Sequence, residues 1–287
     1  RRHMNDKIIA LVDGSVYAAS VCEHAGWLAA GSGMPVELLH VLGRRSPAPS
    51  QDLSGTIRLG ARSALLDELA SLDEQRARLA NAQGRALLED ARNLTLGAGA
   101  ARVETRLEQG DLIAHATGKA ASPALIVIGK RGEAADFAAD HPGSNLERVV
   151  RAAKVPVLVA ARAFRPIASV MLAFDGGASA MKAVDHVASS PVFDGLRIEV
   201  AMAAPANREA QVQLEEAILR LRAAGRDARA ELLDGSADSA LIARIEQQDH
   251  DLLVMGAYGH SRIRRLIIGS VTTRMLIDSR RSVLLFR

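Results

Sequence analysis

The 287-residue sequence predicts an α/β protein built from two tandem doubly wound parallel-sheet domains of five strands each, Rossmann-like, and three observations predict it. First, the chain is written twice. "KIIALVDGS" at 7–15 recurs as "SVMLAFDGG" at 169–177, "ALIVIGKRG" at 124–132 as "DLLVMGAYG" at 251–259, and "GSNLERVVRAAKVPVLVA" at 143–160 as "GSVTTRMLIDSRRSVLLF" at 269–286. Three blocks in the same order indicate duplication. Second, runs such as "ALIVIG" and "VPVLVA" are apolar throughout rather than alternating, as in strands buried on both faces. Third, hydrophobic residues make up 48% but aromatics only 3%, so Ala, Leu, Val and Ile fill the cores, as in helix-covered parallel sheets.

Each half reads as five strands alternating with four helices. The first-half strands are expected near 7–13, 36–41, 102–108, 124–129 and 155–160; the second-half strands near 169–175, 197–203, 227–233, 251–255 and 282–286. Pro166 in "ARAFRP" marks a break, giving a first domain over 4–162 and a second over 166–287. The stretch from Asp13 to Gly129 is 35 residues longer than that from Asp175 to Gly256, and the excess forms an insertion near 44–95. It opens as a loop with Pro47 and Pro49. It continues as a long amphipathic helix carrying Leu65, Leu66, Leu69, Leu72, Leu79, Leu87 and Leu88, with Gly84 a point of interruption. Such a helix is packed or faces a partner rather than being a catalytic insert.

Composition excludes several classes. The formal charge is +3, from 36 Lys and Arg against 33 Asp and Glu that mostly alternate along helices, which is a solvated surface and not a nucleic-acid-binding face. No apolar run has transmembrane length, and the N-terminus lacks the order of a signal peptide; Arg1, Arg2 and His3 before Met4 are set aside. With one cysteine, Cys22, there is no intrachain disulfide framework, and a cytoplasmic location without membrane contact is the expectation. Cys22 and the methionines read as packing, and His24, His40, His115, His186 and His250 lack metal-ligand spacing.

The stretch "GAYGHSRIRRLIIGS" at 256–270 carries the chemistry. Gly256 ends the fourth strand of its half, Gly259 follows after two residues, and Gly269-Ser270 opens a helix after nine more. Glycines let backbone approach a ligand, and free N–H groups at a helix entrance attract an anion. Ser270 adds a hydroxyl donor or caps the helix. His260, Arg262, Arg264 and Arg265 lie between the glycines with no acid among them. A glycine-punctuated turn is the competing reading. With strand order 3-2-1-4-5, strands one and four are neighbours at the topological switch point, so Asp175 at the end of strand one faces the same crevice. Asp175 either accepts a hydrogen bond from a base or sugar or forms an Asx turn that caps the next helix.

These blocks, "FDGG" and then "LLVMGAYGHSRIRRLIIGSVTTRML", resemble the universal stress protein family, and the duplicated chain resembles its tandem type over essentially its full length. The spacing of Gly256, Gly259, Gly269 and Ser270 is similar to that of the family's ATP-binding branch. The resemblance implies the strand order 3-2-1-4-5 and ATP or another adenine nucleotide in the second-half crevice. It sets Asp175, Gly176 and Ala203 beside adenine or ribose, and Gly256, Gly259, Gly269, Ser270 and Val271 around the phosphates, with His260 and Arg262 close by. It further implies pairing through the edge fifth strands, here "VPVLVA" against "SVLLF", so that one chain forms an internal pseudo-dimer; two chains could associate further as a homodimer.

The first half departs from this pattern. Asp13, Val41, Gly129, Gly132, Gly143 and Ser144 occupy the matching positions, but ten residues separate Gly132 from Gly143. Pro142 removes an N–H, and Glu133, Asp136 and Asp140 make that loop net negative where the second is net positive. Acids beside polyphosphate are unfavourable unless a metal such as Mg2+ intervenes. The first site is therefore expected to be weak, to take a less charged ligand, or to stay empty. An enzyme is not the expectation: there is no P-loop, nucleophile elbow or metal-spaced His or Cys cluster, and slow ATP hydrolysis is the most that fits. The leading reading is an ATP-binding, ligand-responsive stress protein; the alternative is an adaptor without nucleotide.

Overall fold

The computed structural model describes residues 6–43, 59–118, 123–132, 144–257 and 270–287. Its first half contains β1 (Lys7–Leu11), α1 (Ala18–Ser32), β2 (Val36–Gly43), α2 (Leu59–Gly97), β3 (Val103–Gly110), α3 (Leu112–Thr117), β4 (Pro123–Gly129), α4 (Ser144–Ala152) and β5 (Val157–Ala160). The second contains β6 (Ser169–Ala173), α5 (Ala178–Ser189), β7 (Arg197–Ala203), α6 (Arg208–Ala223), β8 (Asp227–Leu233), α7 (Ala237–Gln247), β9 (Leu252–Gly256), α8 (Ser270–Asp278) and β10 (Ser282–Phe286).

All ten strands join one sheet in the order β3-β2-β1-β4-β5-β10-β9-β6-β7-β8. Each half thus runs 3-2-1-4-5 from its outer edge inward, and the halves meet at β5 and β10. That junction is antiparallel, with Leu158 opposite Leu284, whereas pairs such as β1–β4 and β6–β9 are parallel. An exposed edge strand would present unpaired N–H and C=O groups, and the junction satisfies both edges. Strand residues alternate between two cores. Ile8, Ala10, Val170 and Leu172 pack under α1, α2, α5 and α6, while Ile9, Leu11, Met171 and Ala173 pack under α3, α4, α7 and α8. Leu158 and Leu284 belong to the first of these clusters, so that core passes unbroken from one half to the other.

The connection is fastened on both sides. The Phe164 ring meets the His24 ring of α1 edge-on at 4.8 Å, and Arg165 forms a bidentate pair with Asp249 (2.9 and 3.0 Å) and reaches Asp251 at 3.1 Å. Cys22 is buried in α1, and burial pushes its thiol up to about 11.

Two expectations need correction. β1 and β6 end two residues early, because Asp13 Oδ1 accepts the Ser15 N–H (3.1 Å) and Asp175 Oδ1 the Gly177 N–H (2.8 Å), turning each strand toward the next helix. Gly84 does not interrupt the insertion helix. The 39-residue α2 runs straight through it, because Gly84 is where the helix rests on β2 and β3: a Cβ there would lie 2.8 Å from Leu107 Cδ1 and 3.1 Å from the His40 ring. The Pro47 and Pro49 loop lies outside the described residues.

Candidate functional site

In a parallel sheet the strands' carboxyl ends open onto a crevice where the connections diverge to opposite faces. In the first half this crevice measures about 520 Å3, within the range of small-molecule sites. Asp13, Val41, Gly129 and Gly132 all line it. Ser144 opens α4, while Asn145, Leu146 and Arg148 of that helix form part of the wall. Gly143 lies outside the described residues, as do Glu133, Asp136, Asp140 and Pro142.

The local chemistry follows from a few contacts. His40 lies within β2, and its Nδ1 donates to the Val12 carbonyl (2.8 Å); since a carbonyl only accepts, that nitrogen carries the proton. A Cβ on Gly132 would stand 3.0 Å from Asp13 Oδ2, so the glycine admits backbone close to the carboxylate. At the rim Arg148 Nη2 donates to Asp111 Oδ1 at 2.9 Å. The described charges balance, with Arg131 and Arg148 set against Asp13 and Asp111.

Gly129 and Gly256 also have a packing role. A Cβ on Gly129 would meet Tyr17 Cβ at 2.7 Å, and one on Gly256 would run into the Ser179 hydroxyl and lie 3.2 Å from Ala180 N. These glycines let the ends of β4 and β9 pass against the first turns of α1 and α5. Their demand is helix–strand packing, which any ligand then inherits as geometry.

The second half repeats the frame. Phe174 N–H donates to Ala201 O at 2.9 Å, as Val12 N–H does to Leu39 O at 3.0 Å. Gly176 sits at φ 74° against the Gln213 side chain, a left-handed position that favours glycine. Ala203 ends β7, half-buried; Ser270 is exposed at the start of α8 and Val271 is half-buried behind it. Thr272 Oγ1 donates to the Gly256 carbonyl at 3.3 Å, tying that helix entrance to the end of β9. Gly259, His260, Arg262, Arg264, Arg265 and Gly269 lie outside the described residues.

Sequence reading overlooked the arginine four residues beyond each Gly-Ser. Arg148 of α4 pairs with Asp111, which caps α3 by accepting the Ile113 N–H at 3.2 Å. Arg274 of α8 pairs at 2.9 Å with Asp238, in the first turn of α7. The equal offset in both copies was the available signal, since residues four apart share a helix face. Ser236, the Ser239 N–H and Arg274 together hold the Asp238 carboxyl below its ordinary range. Among the described residues no group of three His, Cys, Asp or Glu could hold a metal ion, and no helix is long and apolar enough to cross a membrane.

Two α/β units of the same strand order, joined edge to edge into one sheet, define a tandem protein of doubly wound, Rossmann-like fold. The chain belongs to the universal stress protein family, whose model matches residues 4–161 and 184–287. It is 35% identical over 284 residues to universal stress protein Slr1230 of Synechocystis sp., covering 98% of this chain and 99% of that one. Its fold is similar to that of a crystallised universal stress protein from Archaeoglobus fulgidus (TM-score 0.73, 18% identity, 99% of both chains). A second solved structure, from Pseudomonas aeruginosa, gives TM-score 0.61 at 17% identity over 98% of this chain and 92% of that one.

Proposed function

We propose that this universal stress protein binds an adenine nucleotide, ATP foremost, in the crevice of its second half, and that the bound ligand biases its conformation or its choice of partner. The two units it implies span 4–162, with the insertion near 44–95, and 166–287. One observation carries the reading: in the first half, Asp13 and Gly132 come together in the wall of a crevice of about 520 Å3 at the switch point between β1 and β4. The second half has the same strand order, with Asp175 and Gly259 at the corresponding positions of the sequence. Its loop adds three arginines and no acid between Gly256 and Gly269.

In this reading Asp175, Gly176 and Ala203 lie on the base and ribose side. The backbone at Gly256, Gly259, Gly269, Ser270 and Val271 lies around the phosphates, where the N-terminus of α8 favours negative charge. His260, Arg262 and Arg274 supply cationic or donor groups. The first crevice, with Asp13, Val41, Gly129, Gly132, Gly143 and Ser144, suits a ligand of lower charge, because its described acids and bases cancel. Mg2+ would accompany the phosphates through their own oxygens. Hydrolysis, if any, is slow, since no described side chain stands out as a base for water.

The test is direct. Protein purified without added nucleotide is denatured, and the supernatant is examined for adenine absorbance and mass; ATP is then titrated calorimetrically. Bulky replacements at Gly259 and Gly269 are expected to abolish binding, and the same changes at Gly132 and Gly143 to leave most of it. No released nucleotide together with no heat of binding would favour the adaptor without nucleotide. The reverse mutational pattern would move the main site to the first half.

A further inference from the structure

Among the described side chains of the insertion helix α2, those that pack on the fold lie in its C-terminal part. Gly84, Leu88, Ala91 and Thr95 are buried, whereas residues 67–76 are exposed all round. The exposed part continues to Leu79 and spans about 20 Å at 1.5 Å per residue. It carries Leu69, Leu72 and Leu79, which are 49%, 43% and 63% exposed. With Arg76 these residues follow spacings of three and four, and in sequence the pattern extends back to Leu65. That spacing is the seam of a coiled coil. At 100° per residue the seam lies roughly 100° round the helix from the packed face, so the fold's own core leaves it uncovered. An isolated helical segment this short is marginal in water, and a leucine seam gains stability from a partner.

The charge order says which partner. Asp67, Glu68, Asp73 and Glu74 come first with no base among them; Arg76, Arg78 and Arg85 follow with no acid. Within the helix, Arg78 pairs with Glu74 at 2.6 Å and Arg76 lies 3.8 Å from Asp73. A second copy lying antiparallel sets the acidic end of one helix against the basic end of the other, twice by symmetry. A parallel copy would stack like charges. A two-fold interface is self-complementary in this way, and the fifth-strand edges β5 and β10 are already paired with each other inside the chain.

We infer that the projecting part of α2 is a self-association surface, on which two copies of this chain pair as an antiparallel two-helix coiled coil through Leu69, Leu72 and Leu79. The inference does not depend on nucleotide binding. The test is sedimentation equilibrium of the full chain, in which the wild type is expected at twice the chain mass at low salt. The variant Leu69→Glu/Leu72→Glu/Leu79→Glu is expected at the single-chain mass with the far-UV circular dichroism of a folded α/β chain, less at most the signal of the projecting turns, because all three positions are exposed. Two further chains test the charge order without touching the leucines. One carries Asp67→Lys, Glu68→Lys, Asp73→Lys and Glu74→Lys; the other carries Arg76→Glu, Arg78→Glu and Arg85→Glu. Each alone is expected to be single and their mixture to regain twice the mass. A wild type that stays single at every concentration, a dimer that survives the leucine changes, or a mixture that does not re-pair would each overturn the proposal. The first of these results would leave the seam to a different protein.

Discussion

Lys130, one residue past the strand-ending Gly129, donates its Nζ to the carbonyl of Ser279 at the C-terminal end of α8 in the other half. The side chain is buried, and the repeat holds Ala257 in its place, so the bond exists on one side only. The loop after β4 in one half is thereby tied to the C-terminal end of α8 in the other. In return, Arg287 reaches the Arg151 carbonyl near the end of α4, at 2.5 Å.

Burial, reinforced by Arg131, lowers the Lys130 ammonium from 10.5 to about 8. Between those values the native chain has released a proton that the unfolded chain still holds, so stability from this group rises with pH. Urea midpoints at pH 7.5 and 9.5 are expected to show the wild type gaining on Lys130→Met as pH rises. A constant difference would mean the lysine is not desolvated.

Arg274 and Arg148 occupy the same offset beyond Gly-Ser, and Arg148 lines the first crevice. If the second crevice takes ATP, Arg274→Ala is expected to weaken it ~10-fold or more, the order of one charge-assisted hydrogen bond. Arg148→Ala is expected to leave that affinity nearly unchanged. Calorimetric titration of the two variants checks both, with unaltered melting temperatures as the control for folding.

His24 is buried in α1, where its Nδ1 donates to the Ser20 carbonyl at 2.7 Å. Burial lowers its pKa from 6.5 to about 4, against the opposing pull of that carbonyl. The unfolded chain therefore binds a proton first as pH falls, and the stability is lost progressively from about pH 6.5 toward pH 4. Thermal melts over that window are expected to fall more steeply for the wild type than for His24→Leu.

Glu199 on β7 is buried, and Arg244 holds it through Nε (2.7 Å) and Nη2 (3.0 Å), with Arg229 at 2.7 Å. Burial alone would raise the carboxyl, but the arginines and His250 more than reverse it, and the net shift is downward. Arg244→Leu is expected to cost about 1.5–3 kcal/mol by removing charge-assisted hydrogen bonds from a buried carboxylate that keeps only Arg229 and His250, and Glu199→Met/Arg244→Leu to recover most of that. Chemical denaturation of the two variants is the measurement.

Much of the fold was legible because buried parallel strands are continuously apolar. "ALIVIG" became β4 and "DLLVMG" became β9 with ends within a residue or two of expectation. Where reading went astray, a long-range contact was responsible. Gly84 looked like a helix breaker because nothing in its neighbourhood reveals Leu107 and His40 pressing on it. The packing demand on Gly129 and Gly256 was hidden in the same way, because Tyr17 and Ser179 are more than seventy positions away in sequence. The Arg148–Asp111 and Arg274–Asp238 pairs were likewise invisible, since each joins helices that only the folded chain brings together.

The linear order of residues settled the duplication, the two runs of strand and helix, and the opposite charges of the two glycine loops, because periodicity and composition act locally along the chain. Tertiary structure decided that β5 and β10 meet antiparallel with Leu158 opposite Leu284, and that Lys130 ties one half to the other. It also decided that residues 67–76 of α2 stand clear of the core. Backbone edges pair alike whatever their side chains, so register and orientation at such a seam come from the packing of everything around it.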